Sequence, residues 1–158
     1  MKKENIFSTN PEKASARVAI NGVMLASIFV MLAVVFLDLD KFNHWAVVQM
    51  VLAIPFLYVS SLAYSKLGYW KETKLWDAFG YFSNTLGNIF LINAVGLFAL
   101  TLSFLFSIFY FLITIARLFI YSSINIYHTK KYSQKIFKFL FSLAILFFGG
   151  ILPLILRL

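Results

Sequence analysis

Polar and apolar residues alternate along this chain in blocks of about twenty rather than with the period of two of a strand or the near-four spacing of an amphipathic surface helix. Three apolar blocks stand out, at residues 18–37, 45–65 and 136–156. Each is close to the roughly 20 residues that an α-helix needs to cross a hydrocarbon layer. The first follows the polar stretch MKKENIFSTNPEKASAR and stops at Asp38 and Asp40. The second contains Pro55 and ends before Lys66, and the third carries Gly149, Gly150 and Pro153 near its end.

A fourth block, Trp76 to Tyr127, is too long for one crossing. Its 52 residues hold only Asp77 and Arg117 as full charges, and a single helix of that length would extend about 78 Å at 1.5 Å per residue. It therefore predicts two antiparallel helices, at 76–96 and 98–124. The reversal is expected at Gly96, because glycine adopts the left-handed conformation that commonly ends helices. The expected fold is all-α, a polytopic integral membrane bundle of five transmembrane helices. It forms one membrane domain over residues 18–158 behind a polar tail at 1–17. A cleaved leader is not expected, because the first apolar run is long for one and no small-residue cleavage site follows it.

Basic residues give this arrangement a direction. With the amino terminus in the cytoplasm, Lys2, Lys3, Lys13, Arg17, Lys66, Lys71, Lys74, Lys130, Lys131, Lys135 and Lys138 fall inside, and only Lys41 and Arg157 fall outside. Lys and Arg favour the cytoplasmic face, so the asymmetry predicts a cytoplasmic amino terminus. A four-span arrangement would separate the last two basic loops and lose the agreement.

Composition supports lipid as the solvent for much of the surface. Hydrophobic residues make up 61% of the 158, charged residues 13%, and there are 19 phenylalanines. The mean hydropathy is +0.86, whereas a soluble domain is roughly half apolar and about a quarter charged. A net charge of +8 would suggest nucleic acid in a soluble protein, but in this setting it belongs to loops and lipid headgroups, and no nucleic-acid partner is expected. Lys130, Lys131, Lys135 and Lys138 are the candidate contacts for anionic headgroups. The absence of cysteine excludes disulfides, thiolate metal sites and cysteine nucleophiles. Usage rich in Phe, Ile, Asn, Lys and Tyr resembles an AT-rich genome, and the expected location is the plasma membrane of a bacterium or archaeon.

The segment WDAFGYFSNTLGNIFLINAVG, residues 76–96, is unusually polar for a crossing. Projected at 100° per residue, Asp77, Gly80, Ser83, Asn84, Gly87 and Asn88 share one arc of roughly 140°, with Asn93 on the other side. Small residues let helix backbones approach, and amides hydrogen-bond across the contact. The same arc supports a second reading, a hydrated path or binding face along Asn84 and Asn88, with Asn21 and Gln49 as companions at different depths. A reversal at Gly96 would bring Asp77 and Arg117 to similar depth as an ion pair, unless Arg117 snorkels to the headgroups.

Other chemistry has little support. Ser60 and Ser61 have no histidine or lysine base nearby. His44 sits at an aromatic interface and His128 in the basic loop HTKKYSQK, so neither suggests a metal site. The run FLFSIFYFLITIARLF at 104–119 reads as lipid contact and packing. No phosphate loop, dinucleotide motif or catalytic carboxylate pair is present, and no cofactor is called for. The leading expectation is a small non-enzymatic membrane protein acting through intramembrane helix packing, as accessory subunit, assembly factor or membrane effector. Its partners would be the bilayer and either further copies of itself or a larger membrane protein. An oligomeric channel or small transporter is the alternative, and a membrane enzyme acting on lipid comes third.

Overall fold

The computed structural model describes residues 11–67, 74–127 and 132–156, and all regular structure among them is helical. In chain order these are α1 (Pro11–Val35), α2 (His44–Lys66), α3 (Lys74–Phe98), α4 (Phe104–Tyr127), α5 (Tyr132–Leu146) and α6 (Leu152–Leu156). Single 3₁₀ turns at Leu39–Lys41 and Ala99–Thr101 link α1 to α2 and α3 to α4, and a π-helical turn at Phe147–Ile151 joins α5 to α6. Five stretches are long and apolar enough to cross a membrane: Lys13–Val35, His44–Lys66, Leu75–Thr101, Phe104–Tyr127 and Lys135–Leu156. The shortest, 22 residues, reaches about 33 Å as a helix, against a hydrocarbon thickness of about 30 Å.

Side-chain contacts fix the directions of the helices. Arg17 meets Tyr64 and Asn21 meets Ser60, so α1 and α2 run antiparallel. Gly80 faces Ala63 and Tyr64, Gly87 faces Leu57, and Asn93 reaches Gln49, so α3 runs antiparallel to α2. Ser107 bonds to Gly96, which turns α4 back along α3. Phe82 packs on Phe141, and Asn93 bonds to Ile145, so α5 runs parallel to α3. The bundle thus has an end carrying Arg17, Tyr64, Asp77 and Lys138, and an opposite end carrying Trp45 and Gly149.

The α2–α3 contact is the most extensive between helices, and the sequence of α2 explains it. Its buried residues are Ala46, Gln49, Met50, Ala53, Leu57, Ser60, Ala63 and Tyr64, a stripe spaced by threes and fours with small residues at half of its positions. Without a hydrophobic drive between helices in lipid, such close approach yields the packing contacts that hold a bundle. The start of α2 is set by Asn43, whose side chain accepts the Ala46 N–H at 3.0 Å. α3 contributes Ala94 to the core shared with Ile28, Leu32, Met50, Ala53 and Leu57. It also supplies Ile89 and Leu97 to a second core with Ala46, Phe111, Leu146 and Leu154. It is therefore the central helix, covered on two sides.

The reversal between α3 and α4 does not fall at Gly96. Helix α3 continues to Phe98 and the chain turns through 99–103. Gly96 is needed for space instead: a Cβ there would lie 2.5 Å from Phe111 Cζ and 2.8 Å from Tyr110 Cδ1. Its carbonyl accepts the Ser107 hydroxyl at 2.6 Å, fastening α4 to α3. Other boundaries shift as well. α1 starts at Pro11 rather than residue 18, α3 at Lys74 rather than 76, and α5 at Tyr132 rather than 136, while α4 spans 104–127 rather than 98–124.

Pro153 accounts for the break between α5 and α6. Proline has no N–H to give to the carbonyl four residues back, that of Gly149, and its ring crowds that turn. The chain widens into the π-helical turn, and the Trp45 indole N–H donates to the Gly149 carbonyl at 3.2 Å. An unpaired backbone carbonyl is costly away from water, so this bond ties the start of α2 to the broken helix. Trp45→Phe is expected to lower stability in detergent by about 0.5–1.5 kcal/mol and to speed amide exchange in α6. Unchanged exchange would show that the carbonyl does not need the indole.

Candidate functional site

The polar arc predicted on α3 lies against α2, as a seam of close backbone contacts. A Cβ added at Gly80 would sit 3.2 Å from Ala63 Cβ and 3.2 Å from the Tyr64 ring. At Gly87 it would sit 2.7 Å from Leu57 Cγ and 3.0 Å from the Leu57 backbone nitrogen. Between these levels runs a chain of hydrogen bonds through three helices. Asn21 of α1 donates to the Ser60 hydroxyl at 3.3 Å and to the Leu57 carbonyl at 3.5 Å, and Ser60 donates to the Gly80 carbonyl at 3.0 Å. Ser60 is thus a structural bridge to α3, whereas Ser61 bonds back to Leu57 of its own helix. Ser60→Ala is expected to cost about 0.6–1.7 kcal/mol in detergent unfolding. A Ser61→Ala variant with an equal loss would count against the bridge.

Asp77 closes one end of the seam and is 1% exposed. It acts electrostatically on Tyr64 of α2 and on Lys138 of α5. Arg17 of α1 donates from Nη1 to the Tyr64 hydroxyl at 2.5 Å, with its guanidinium 4.9 Å from the ring centroid. Lys138 of α5 places its ammonium 3.9 Å from the Tyr81 ring centroid, a cation–π contact. Arg17 also lies in electrostatic range of Tyr81 and Lys138. Arg17, Tyr64, Asp77, Tyr81 and Lys138, drawn from α1, α2, α3 and α5, thus form a group of ionisable side chains linked by electrostatics at this end of the bundle.

Arg117 is not part of it. The expected Asp77–Arg117 pair does not form: Arg117 is exposed on α4, and its electrostatic neighbour is Tyr110. The cause is the later reversal together with the rotation of α4, which turns Phe111 and Ser107 inward instead. Of the other arc residues, Ser83 is buried, while Asn84 and Asn88 are half-buried on the flank of the seam. Asn88 donates to the carbonyl of Asn84 at 2.6 Å, one turn back on its own helix. The Asn84 Oδ1 is buried without a hydrogen-bond partner. Lys130 and Lys131 lie outside the described residues, and Lys135 is half-buried.

A second polar group sits toward the opposite end. Asn93, 0% exposed, donates to Gln49 Oε1 at 3.4 Å and to the Ile145 carbonyl at 3.2 Å. The π-helical turn packs directly on it, since a Cβ at Gly150 would lie 2.6 Å from Asn93 Oδ1 and 2.5 Å from Phe111 Cε1. The glycine backbone occupies the space in front of the amide, making this a packing contact between α2, α3 and α5. The signal for it lay in the pairing of an off-arc asparagine with a Gly-Gly step and a proline on another span. A groove of about 350 Å³ between α3 and α5 is lined by Leu86, Phe90, Phe141, Ala144, Ile145 and Phe148. Its walls are apolar, and the amides of the seam do not reach it.

No protein-family model, curated protein or solved structure matches this chain. The functional reading rests on the geometry above.

Proposed function

We propose that this chain is a small multi-pass integral membrane protein of a bacterial or archaeal plasma membrane, with its Arg17 end in the cytoplasm. It works without chemistry of its own, by packing its helices against a partner or further copies of itself. One observation carries this reading: Asn21, Ser60 and Asn93 link α1, α2, α3 and α5 to one another by hydrogen bonds, while α1 and α4 turn wide apolar faces outward. Val23, Phe29 and Val30 on α1 and Leu105, Phe106 and Ile113 on α4 are all more than half exposed. Surfaces of that kind fit acyl chains or other transmembrane helices. The basic residues collected at the Arg17 end support the orientation.

The absence of cysteine makes the test direct. Single cysteines at Ser15 or Ser65 and at Thr101, all exposed, are expected to react with impermeant reagents from opposite sides of the membrane, and reaction from one side would defeat the topology. Native mass spectrometry of the protein in nanodiscs is expected to retain a second copy or a companion, and a bare monomer would count against recognition by packing. A second reading, an oligomeric channel along Asn84 and Asn88, draws its support from the Asn84 Oδ1 beside the seam, one of four buried side-chain oxygens without a hydrogen-bond partner among the described residues. It requires ion or solute flux in liposomes that Asn84→Leu abolishes.

A further inference from the structure

Arg117 is a cation on the exposed apolar side of a helix. Phe106, Ile113, Ile120 and Ile124 recur at helical spacing along the same side, all more than half exposed. About 15 Å of helix separates Arg117 from Tyr127 and about 20 Å separates it from Phe104. On the reading that α4 crosses the bilayer, this places Arg117 close to mid-span, where an unpaired cation is among the costliest residues.

Snorkelling does not relieve the cost. Side chains in an α-helix lean toward its amino terminus, which for α4 is the far end at Phe104. Reaching the nearer headgroups, at the Tyr127 end, would run against that lean, and Arg117 acts electrostatically on Tyr110, on the Phe104 side. Nor does a second copy of the chain supply a countercharge. Of the six carboxylates, Glu4, Glu12 and Glu72 lie in sequence at or beyond the ends of the crossings. Asp38 and Asp40 follow the far end of α1, and Asp77 is buried in its own bundle.

We infer that the α4 face around Arg117 docks a transmembrane helix of another protein, and that this helix carries an aspartate or glutamate near its own midpoint. Ala116, exposed beside Arg117, leaves room for close approach, and the apolar residues above and below complete a contact strip. Desolvated on both sides, a carboxylate against the guanidinium gives the pair its strength and the partner its identity. This deepens the packing function proposed above and rests on membrane insertion.

Model helices test it. The full chain, labelled at Ser123→Cys, is reconstituted in zwitterionic bilayers with fluorescent Leu/Ala helices of about 20 residues, bearing Asp, Leu or Arg at the centre. Energy transfer is expected to show the Asp helix binding about tenfold more tightly than the Leu helix. That preference should vanish in Arg117→Leu, and Arg117→Asp should instead select the Arg helix. Equal binding of Asp and Leu helices by the native chain would overturn the inference. So would an Arg117-dependent enrichment of phosphatidylglycerol in parallel bilayers that contain it, which would give the guanidinium to a headgroup, or an Arg117-dependent transfer between copies of the chain itself. Quenching of the native tryptophans by brominated lipid is measured in the same samples, so that failure to insert is distinguished from failure to dock.

Discussion

Gly87→Leu is expected to disrupt the α2–α3 seam and to give the largest loss of stability of any single substitution on α3. The Cβ alone would meet Leu57 Cγ at 2.7 Å, Cδ2 at 2.9 Å and the Leu57 backbone nitrogen at 3.0 Å. The leucine side chain can shift to another rotamer, but the backbone nitrogen sits in the middle of α2 and moves only if the helices part. Gly87→Ala already forces this, at about 1–3 kcal/mol, the usual range for overpacking. Leucine adds three further carbons to the same gap. Separation at this level also stretches the Ser60 bond to the Gly80 carbonyl and the Asn93 bond to Gln49, which flank it. Equilibrium unfolding in detergent should therefore rank wild type above Gly87→Ala and both well above Gly87→Leu. Adding Leu57→Ala to Gly87→Ala removes Cγ and Cδ2 but empties a core position and leaves the backbone contact, so the double variant should stay well below wild type while losing less than the two single losses together. A Gly87→Ala protein as stable as wild type would show that α2 and α3 are not held at this distance.

That seam was legible in the sequence because it depends on one helix alone. Gly80, Ser83 and Gly87 recur every three or four residues, and small residues on one arc of an apolar helix imply a close neighbour whatever that neighbour is. The five helices long and apolar enough to cross a membrane were legible for a similar reason, since length and apolarity are local properties. Features that depend on which helices meet were not. Asn93 fell outside the projected arc because projection assigns a helix one buried side, whereas α3 lies at the centre and is buried on two. Gly96 reads as a turn in the sequence because glycine serves both turns and close approaches, and only Phe111 on α4 shows which use applies. The Gly149, Gly150 and Pro153 cluster was visible, but its meaning needed Trp45, more than a hundred residues earlier, to bond the carbonyl that the proline leaves without a donor.

Asp77→Leu is expected to destabilise the end of the bundle that carries Arg17 and Lys138. Matching depths along one hairpin pointed to Arg117, but a carboxylate at the head of α3 is approached by every helix that begins or ends at that level, including α1 and α5. In the bundle its electrostatic neighbours are Tyr64 and Lys138, on which Arg17 also acts. Asp77→Leu leaves those cations facing one another without a countercharge in a partly desolvated setting, and losing one member of a buried charged group typically costs about 3–5 kcal/mol. Lys138 and Arg17 are only half-buried, so the lower end of that range, about 3 kcal/mol, is expected, with Asp77→Asn losing less because it keeps the volume and an acceptor. Double-mutant cycles in detergent separate the two assignments. Asp77→Asn with Lys138→Met should cost clearly less than the two single losses together, because the second change removes a charge that the first had left exposed to repulsion. Asp77→Asn with Arg117→Ala should be additive within about 0.5 kcal/mol, as for residues without a shared contact. Coupling to Arg117 with additivity at Lys138 would reverse the assignment and require α4 to rotate toward α3.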